Sequence, residues 1–348
     1  MKVLIVGGVA GGASAAARLR RLDESCEIIL FERGEYISFA NCGLPYYIGG
    51  VIQDREDLIL QTPESFKARF NIDVRVNNEV ISINPSEKYV EVKRLDSGEV
   101  YSESYDYLIL SPGAYPVRPN IPGSDSDRVF TLRNIADTFK LKDFIDSRSP
   151  RHAAVIGGGY IGAEMAENLV KAGLRVTVVE REKQVIAALD FDMAAAVHRH
   201  MEKKGVRLLL GNGVQSIEEV DGELRITMDS GVITADMAIM AVGVLPDTAL
   251  AKRAGLSLNF RGSIVVDSQM RTSDPYIYAV GDAVEVVDFV SGEKTFVPLA
   301  GPANKQGRIA ADNISGIARE YHGTQGSSVL KVFDLTVAAT GLNEKAAM

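Results

Sequence analysis

Short, wholly apolar runs that end in glycine recur along the chain. Val3-Leu-Ile-Val leads into Gly7-Gly8, and Ala153-Ala-Val-Ile leads into Gly157-Gly158-Gly159. An alanine-rich stretch follows each, Ala10 to Leu22 and Tyr160 to Ala172, and then a second apolar run, Cys26–Glu32 and Arg175–Glu180. Apolar runs without alternation predict strands buried on both faces, and the stretches between them predict helices. The order strand, glycine turn, helix, strand therefore occurs twice, with Gly7 and Gly157 150 residues apart. Further strands are predicted at Asp73–Val80, Val90–Lys93, Tyr107–Leu110, Val206–Leu210, Leu224–Met228, Met237–Val242, Ile264–Asp267 and Tyr276–Asp282. Val329–Ala338 reads as one or two more.

The glycine turns carry chemistry. A strand that delivers the chain to such a turn lets backbone N–H groups approach a pyrophosphate at a helix N-terminus, where the dipole favours the anion. The second turn, Gly157-x-Gly159-x-x-Gly162, matches the dinucleotide fingerprint in full. The first reads Gly7-Gly8-Val9-Ala10-Gly11-Gly12, with Val9 at the middle glycine position. Each second strand ends in an acid, Glu32 and Glu180, placed to accept both hydroxyls of a ribose. One fingerprint alone is a weak signal. Two, each between strand and helix and each with its acid, predict two dinucleotide sites in an α/β protein with two Rossmann-like domains.

Proline-rich Pro116–Pro122 and Gly243-Val-Leu-Pro246 read as crossings between the two. The expected organisation is a first domain in two parts, residues 1–114 and 244–322, with the second domain, 115–243, inserted. Residues 323–348 read as the start of a third, mostly absent one. Length agrees, since 348 residues at roughly 100–200 per domain give two or three.

Charge and cysteine content narrow the function. A net charge of −8 opposes broad nucleic-acid binding, which needs a positive field. There is no apolar run long enough to span a membrane and no secretory leader, so a cytoplasmic protein is expected. Two cysteines, Cys26 and Cys42, are too few for a disulfide scaffold or a four-thiolate metal site. The histidines His152, His198, His200 and His322 show no metal spacing, and no metal is expected. Cys26 opens a predicted core strand and reads as structural. Cys42, in Ser38-Phe-Ala-Asn-Cys42-Gly-Leu-Pro-Tyr-Tyr-Ile-Gly-Gly, stands where a helix can begin, a position that depresses a thiol pKa. A lone cysteine is more often a small buried hydrophobe, and it is the position just past a dinucleotide-binding unit that favours a functional thiol here.

Over essentially its whole length the chain resembles the flavin-dependent pyridine nucleotide–disulfide oxidoreductases. SFANCGLPYYIGG is similar to the single-cysteine members that reduce coenzyme A disulfide, or coenzyme A persulfide and polysulfide with NADH. Tyr47 stands where the two-cysteine members carry their second thiol, so no internal disulfide is implied there. The resemblance implies FAD in the first unit, on Gly8, Val9, Ala10, Gly11, Gly12, Glu32, Arg33, Asn41, Val80, Gly113, Asp282 and Ala300. It implies NADH, with NADPH disfavoured by the Glu180 carboxylate, on Gly157, Gly159, Tyr160, Ile161, Gly162, Glu180 and Gly243. Arg181, next to Glu180, partly offsets that preference. Tyr160 is implied to shield the flavin until nicotinamide displaces it; ordinary packing is the plainer reading of the same residue.

On a helical wheel Gly12, Ala16 and Leu19 face inward, and Ser14, Arg18 and Arg21 fall on the opposite, exposed face. The resemblance makes that face, with Ser38, Asn41, Lys67 and Arg69, a grip for the phosphates of coenzyme A. Cys42 is then the catalytic nucleophile, taking one half of a coenzyme A disulfide or the outer sulfur of a persulfide. A homodimer is implied, through a domain that begins near residue 323. Two alternatives stay open. One is an NADH oxidase or peroxidase that cycles Cys42 through a sulfenic acid. The other is a cofactor-binding piece without catalysis.

Overall fold

Val3, Leu4, Ile5, Leu108 and Ile109 have no exposed surface, as expected of parallel strands in the middle of a sheet. The structure, a computed structural model, describes residues 1–348 and divides the chain into two units. The first comprises Met1–Phe39, Ile59–Tyr115 and Leu245–Gly326, and the second Ala40–Leu58, Pro116–Val244 and Ser327–Met348.

In the first unit five parallel strands run in the order Ile277–Ala279, Tyr107–Leu110, Lys2–Val6, Glu27–Phe31, Asp73–Arg75. Lys2–Val6 pairs in register with Glu27–Phe31 on one side and with Tyr107–Leu110 on the other. The strand order reverses beside Lys2–Val6, and ligands of open α/β sheets bind at the carboxyl end of such a switch point. Helix Ala10–Leu22 starts there and buries Gly11, Gly12, Ala15, Ala16 and Leu19. These small residues let helix Ala300–Ile314 pack closely against it. Antiparallel strands Asn78–Asn84, Tyr89–Arg94 and Val100–Ser104 complete the unit.

The second unit repeats the plan, in the order Val206–Leu210, Arg175–Glu180, His152–Ile156, Met237–Met240, Val129–Phe130, all parallel. Its fingerprint helix is Tyr160–Lys171. Val214–Val220, Glu223–Met228 and Gly231–Ala235 form an antiparallel sheet. No helix in either unit is long and apolar enough to cross a membrane.

Several expectations change. Asp73–Val80 is two strands, because the chain turns at Asn77 with φ +54°. Ile264–Asp267 joins no ladder and makes isolated bridges through Ile264 only. Residues 40–58 belong with the second unit, where helix Leu44–Ile48 packs on helices Ile135–Arg148 and Tyr160–Lys171. Tyr47 meets Phe139 edge-on there, with ring centroids 5.8 Å apart. Residues 327–348 also belong with that unit. Ser328–Val332 and Leu335–Ala339 pair as a hairpin whose inner residues Leu330, Val332 and Val337 are buried.

Candidate functional site

The first glycine turn is built so that only glycine fits at its ends. Gly7 has φ +97°, and a Cβ there would run into the Ser111 carbonyl oxygen. A Cβ on Gly12 would run into the carbonyl oxygen of Gly7 itself. Val9 is the N-cap of helix Ala10–Leu22. Gly8 N–H donates to Glu32 Oε2 at 3.0 Å, Gly34 N–H to Glu32 Oε1 at 2.9 Å, and Gly12 N–H to Ser111 Oγ at 3.1 Å. Each Glu32 oxygen retains a lone pair for a ribose hydroxyl. A cradle too narrow for a methyl group, opening a 13-residue helix and backed by a carboxylate acceptor, suits a dinucleotide pyrophosphate and ribose.

The other first-unit candidates vary in how free they are. Val80 is buried. Gly113 takes φ +73° beside open space. Asp282 lies on the short helix Gly281–Ala283, which is tied down by a 2.7 Å bond from Gly281 N–H to Gln306 Oε1. Ala300 is the exposed first residue of helix Ala300–Ile314. Arg33 is engaged elsewhere, its Nη2 2.6 Å from Asp247 Oδ2.

In the second unit Gly157 has φ +105° and abuts the Ala241 carbonyl oxygen, and Gly162 abuts that of Gly157. Gly159, by contrast, has nothing within 4 Å of where its Cβ would be, so the backbone there stands open to a pyrophosphate. Ile161, in the first turn of the helix, is half-buried, and Gly243 takes φ +118° beside open space. Gly158 N–H donates to Glu180 Oε2 at 2.5 Å and Glu182 N–H to Oε1 at 2.8 Å. Arg181 is 81% exposed, with its Nε 3.5 Å from Glu182 Oε1. The residues again fit a dinucleotide.

The predicted phosphate grip is corrected in part. Ser14 and Arg18 are half-buried, and each is bonded to helix Ala300–Ile314. Ser14 Oγ donates to Asn304 Oδ1 at 2.6 Å, and Arg18 Nε to Asp312 Oδ1 at 2.7 Å. Arg21 is exposed, and its guanidinium lies 5.8 Å from the Phe70 ring centre. Arg69 lies 5.1 Å from the same ring, and Lys67 is exposed on the same helix, Pro63–Phe70. Arg20, which the sequence did not single out, brings these together by donating to the carbonyls of Phe70 and Asn71 at 2.8 and 3.0 Å. Ser38 takes φ +46° and is pinned by its N–H to the Gly8 carbonyl at 2.8 Å.

Asn41 and Cys42 are exposed, on a single 3-10 turn, Asn41–Gly43, that precedes helix Leu44–Ile48. The expected depression of the thiol pKa is overturned. Burial of the sulfur by its surroundings, and then the Glu164 carboxylate, push the Cys42 thiol up. A one-turn 3-10 segment has too few aligned peptides to oppose this. Glu164 is itself pushed up to about 7, by burial and then by Glu167. Cys26 is buried, and burial pushes its thiol up to about 11.

The sequence also missed the anchorage of the hairpin. Glu167, fully buried, accepts from Lys171 Nζ at 2.5 Å and from Phe333 N–H at 2.7 Å. His200 Nε2 lies 2.8 Å from Asp334 Oδ1, and His198 Nε2 accepts the Val185 N–H at 3.1 Å. The local sequence around Glu167 carries no signal of that burial or of its partner Phe333. No group of three or more His, Cys, Asp or Glu side chains could hold a metal ion.

A family model described as pyridine nucleotide-disulphide oxidoreductase matches residues 1–307. A protein named NADH oxidase from Methanocaldococcus jannaschii is 37% identical over 343 residues, covering 98% of this chain and 76% of that one. A coenzyme A disulfide reductase from Staphylococcus aureus is 38% identical over 347 residues, covering 98% and 77%. Among solved structures, reduced CoADR-RHD of Bacillus anthracis superposes with a TM-score of 0.97 at 56% identity. It is covered over 62% of its length by 99% of this chain. An NAD-dependent persulfide reductase from A. fulgidus superposes with a TM-score of 0.96 at 38% identity, covered over 65% by the whole chain. The chain thus spans less than two thirds of those two solved proteins.

Proposed function

We propose, from the premise that this chain belongs to the pyridine nucleotide-disulphide oxidoreductase family, that it reduces a coenzyme A disulfide or persulfide through Cys42 at the expense of NADH. The observation that carries this reading is a lone thiol, exposed on the turn leading into a helix that packs on the nicotinamide-type fingerprint helix. NADH would supply the two electrons, and bound FAD would relay them to sulfur. The glycine turns hold the two pyrophosphates, and Glu32 and Glu180 accept the ribose hydroxyls. A carboxylate at Glu180 repels a 2′-phosphate, which favours NADH; Arg181 beside it is exposed, with its Nε 3.5 Å from Glu182 Oε1.

At sulfur the balance is simple. The Cys42 thiolate attacks one sulfur of the disulfide, a Cys42–coenzyme A bond forms, and the other coenzyme A leaves as thiolate and takes a proton. Two electrons then restore the Cys42 thiolate and free the second coenzyme A, so each NADH yields two thiols. Arg21, Lys67 and Arg69 around Phe70 give the carrier's phosphates a basic surface, and Ser38 and Asn41 flank the sulfur in sequence. Free-thiol chemistry of this kind suits a reducing cytoplasm. The hairpin, with Val329 exposed on its outer side, is read as part of the dimerisation domain of a homodimer.

The test is NADH consumption without oxygen, driven by coenzyme A disulfide, with two thiols appearing per NADH and none with Cys42→Ser. The second reading, an NADH oxidase or peroxidase, is favoured by the M. jannaschii relative's name. It predicts consumption driven by oxygen or peroxide and indifferent to coenzyme A.

A further inference from the structure

Tyr160 is the first residue of the fingerprint helix, so its backbone is fixed by the turn that precedes it and only its ring is free to swing. Its hydroxyl is 2.8 Å from Ser328 Oγ, the first residue of the C-terminal hairpin, and both residues are half-buried. The two belong to the same unit, 168 residues apart in sequence.

Ser328 is not a loose surface serine. Its strand packs along the helix that carries Tyr160, and the hairpin is fastened to that unit at several points. Phe333 N–H, at the hairpin turn, donates to the buried Glu167, which lies seven residues along from Tyr160 and hence on nearly the same helix face. Asp334 pairs with Lys204 Nζ at 3.0 Å as well as with His200. Beyond the hairpin, Asn343 Nδ2 donates to the Ala187 carbonyl at 3.0 Å, and Glu344 N–H to Asp190 Oδ1 at 2.7 Å. Ser327 Oγ and Thr340 Oγ1, 2.6 Å apart, close the open end beside Ser328. The Ser328 hydroxyl is therefore held in place independently of Tyr160, while the Tyr160 ring is held in place by Ser328.

We propose that Ser328 is a positioning residue that latches the Tyr160 ring through their hydroxyl–hydroxyl bond, so that the hairpin sets how easily the ring yields to nicotinamide. This rests on the reading of Tyr160 as the ring that nicotinamide displaces. Swinging the ring breaks the bond and leaves the Ser328 hydroxyl in a half-buried site, so binding carries that cost. The affinity for the coenzyme is lowered by the fraction of time the latch is closed.

The experiment is titration of the flavin-bound full chain with NAD+, following the binding isotherm calorimetrically, for the parent, Ser328→Ala, Tyr160→Phe and the double variant. Loss of one neutral hydrogen bond predicts NAD+ binding about threefold to tenfold tighter in Ser328→Ala. Tyr160→Phe gives the same gain, and the double variant gives no more than either alone. Ser328→Thr, which keeps the hydroxyl, restores the parent value. Unchanged affinity in Ser328→Ala, or full additivity in the double variant, overturns the latch. Tyr160→Ala separates the two levels. If it leaves NAD+ affinity unaltered, the displaced-ring reading fails, and the latch falls with it. If it alters affinity while Ser328→Ala does not, only the latch fails. One hydrogen bond of that size is worth a few degrees of melting temperature, so a loss no larger than that in Ser328→Ala and Tyr160→Phe shows that the hairpin stays docked.

Discussion

Helix Ala300–Ile314 contains two glycines whose replacement by alanine should have very different costs. A Cβ on Gly307 would lie 2.3 Å from the Gly11 carbonyl oxygen, where real Cβ atoms essentially never come within 3.0 Å. The obstacle is backbone, so the two helices must part by about 0.7 Å or more. Alanine gains about 1 kcal/mol of helix propensity over glycine. Overpacking costs about 1–3 kcal/mol. Parting the helices also stretches the 2.6 Å Ser14–Asn304 bond and the 2.7 Å Arg18–Asp312 pair, at about 1 kcal/mol or more each. Gly307→Ala should therefore lose about 2–4 kcal/mol net. Because Gly11 lies in the pyrophosphate cradle, it should also hold flavin less well. At Gly301 nothing beyond its chain neighbours lies within 4 Å of the new methyl, but Pro302 follows and disfavours helical backbone in a residue that carries a Cβ, offsetting the propensity gain, so Gly301→Ala should change stability by less than about 1 kcal/mol. Thermal melts followed by flavin release, at roughly 2–4 °C per kcal/mol, resolve both. A Gly307→Ala protein that melts at or above Gly301→Ala, with full flavin, would refute the close-packing argument.

Glu164→Gln should lower the Cys42 thiol pKa and speed its alkylation at pH 8, because the ionised carboxylate is what the thiol meets above pH 7. The folded carboxyl binds its proton more tightly than the unfolded one, so stability falls as pH rises from about 4.5 to about 7. The loss is on the order of 2–3 kcal/mol, and the glutamine variant should lack that part of the pH dependence in denaturant titrations. Glu180→Ala should weaken NADH binding and let Arg181 meet a 2′-phosphate, so the ratio of NADPH to NADH affinity rises at least tenfold by equilibrium titration; an unchanged ratio contradicts the role given to Glu180. Arg21→Glu with Arg69→Glu should raise the KM for coenzyme A disulfide several-fold, with a weaker salt dependence, and leave NADH affinity alone; an unaltered KM removes Phe70's surroundings from the substrate path.

What could be read from sequence was what local chemistry dictates. Gly7 and Gly157 take positive φ against neighbouring backbone, so the turns announce themselves as glycine. The strands around them are buried on both faces and read as unbroken apolar runs. What escaped depends on partners far along the chain. The wheel gave Ser14 and Arg18 no partners because their own segment is blind to Asn304 and Asp312, some 290 residues later. Asp73–Val80 looked continuous because the turn at Asn77 uses a residue that tolerates left-handed backbone without being glycine. The pKa of Cys42 was misjudged because a helix start in sequence does not reveal how short the helix is, nor that Glu164 comes to face it. Glu167 and Phe333 N–H, 166 residues apart, left no trace in either local pattern.

The central claim, that Cys42 carries the substrate's sulfur partner covalently, is tested most directly by intact-mass measurement after one equivalent of coenzyme A disulfide is added without oxygen. The account predicts a gain of one coenzyme A thiol on the chain, located at Cys42 by peptide mapping, absent in Cys42→Ser, and removed on adding NADH. An unmodified chain that still turns over NADH with coenzyme A disulfide, or an adduct elsewhere that NADH clears equally well, would contradict it.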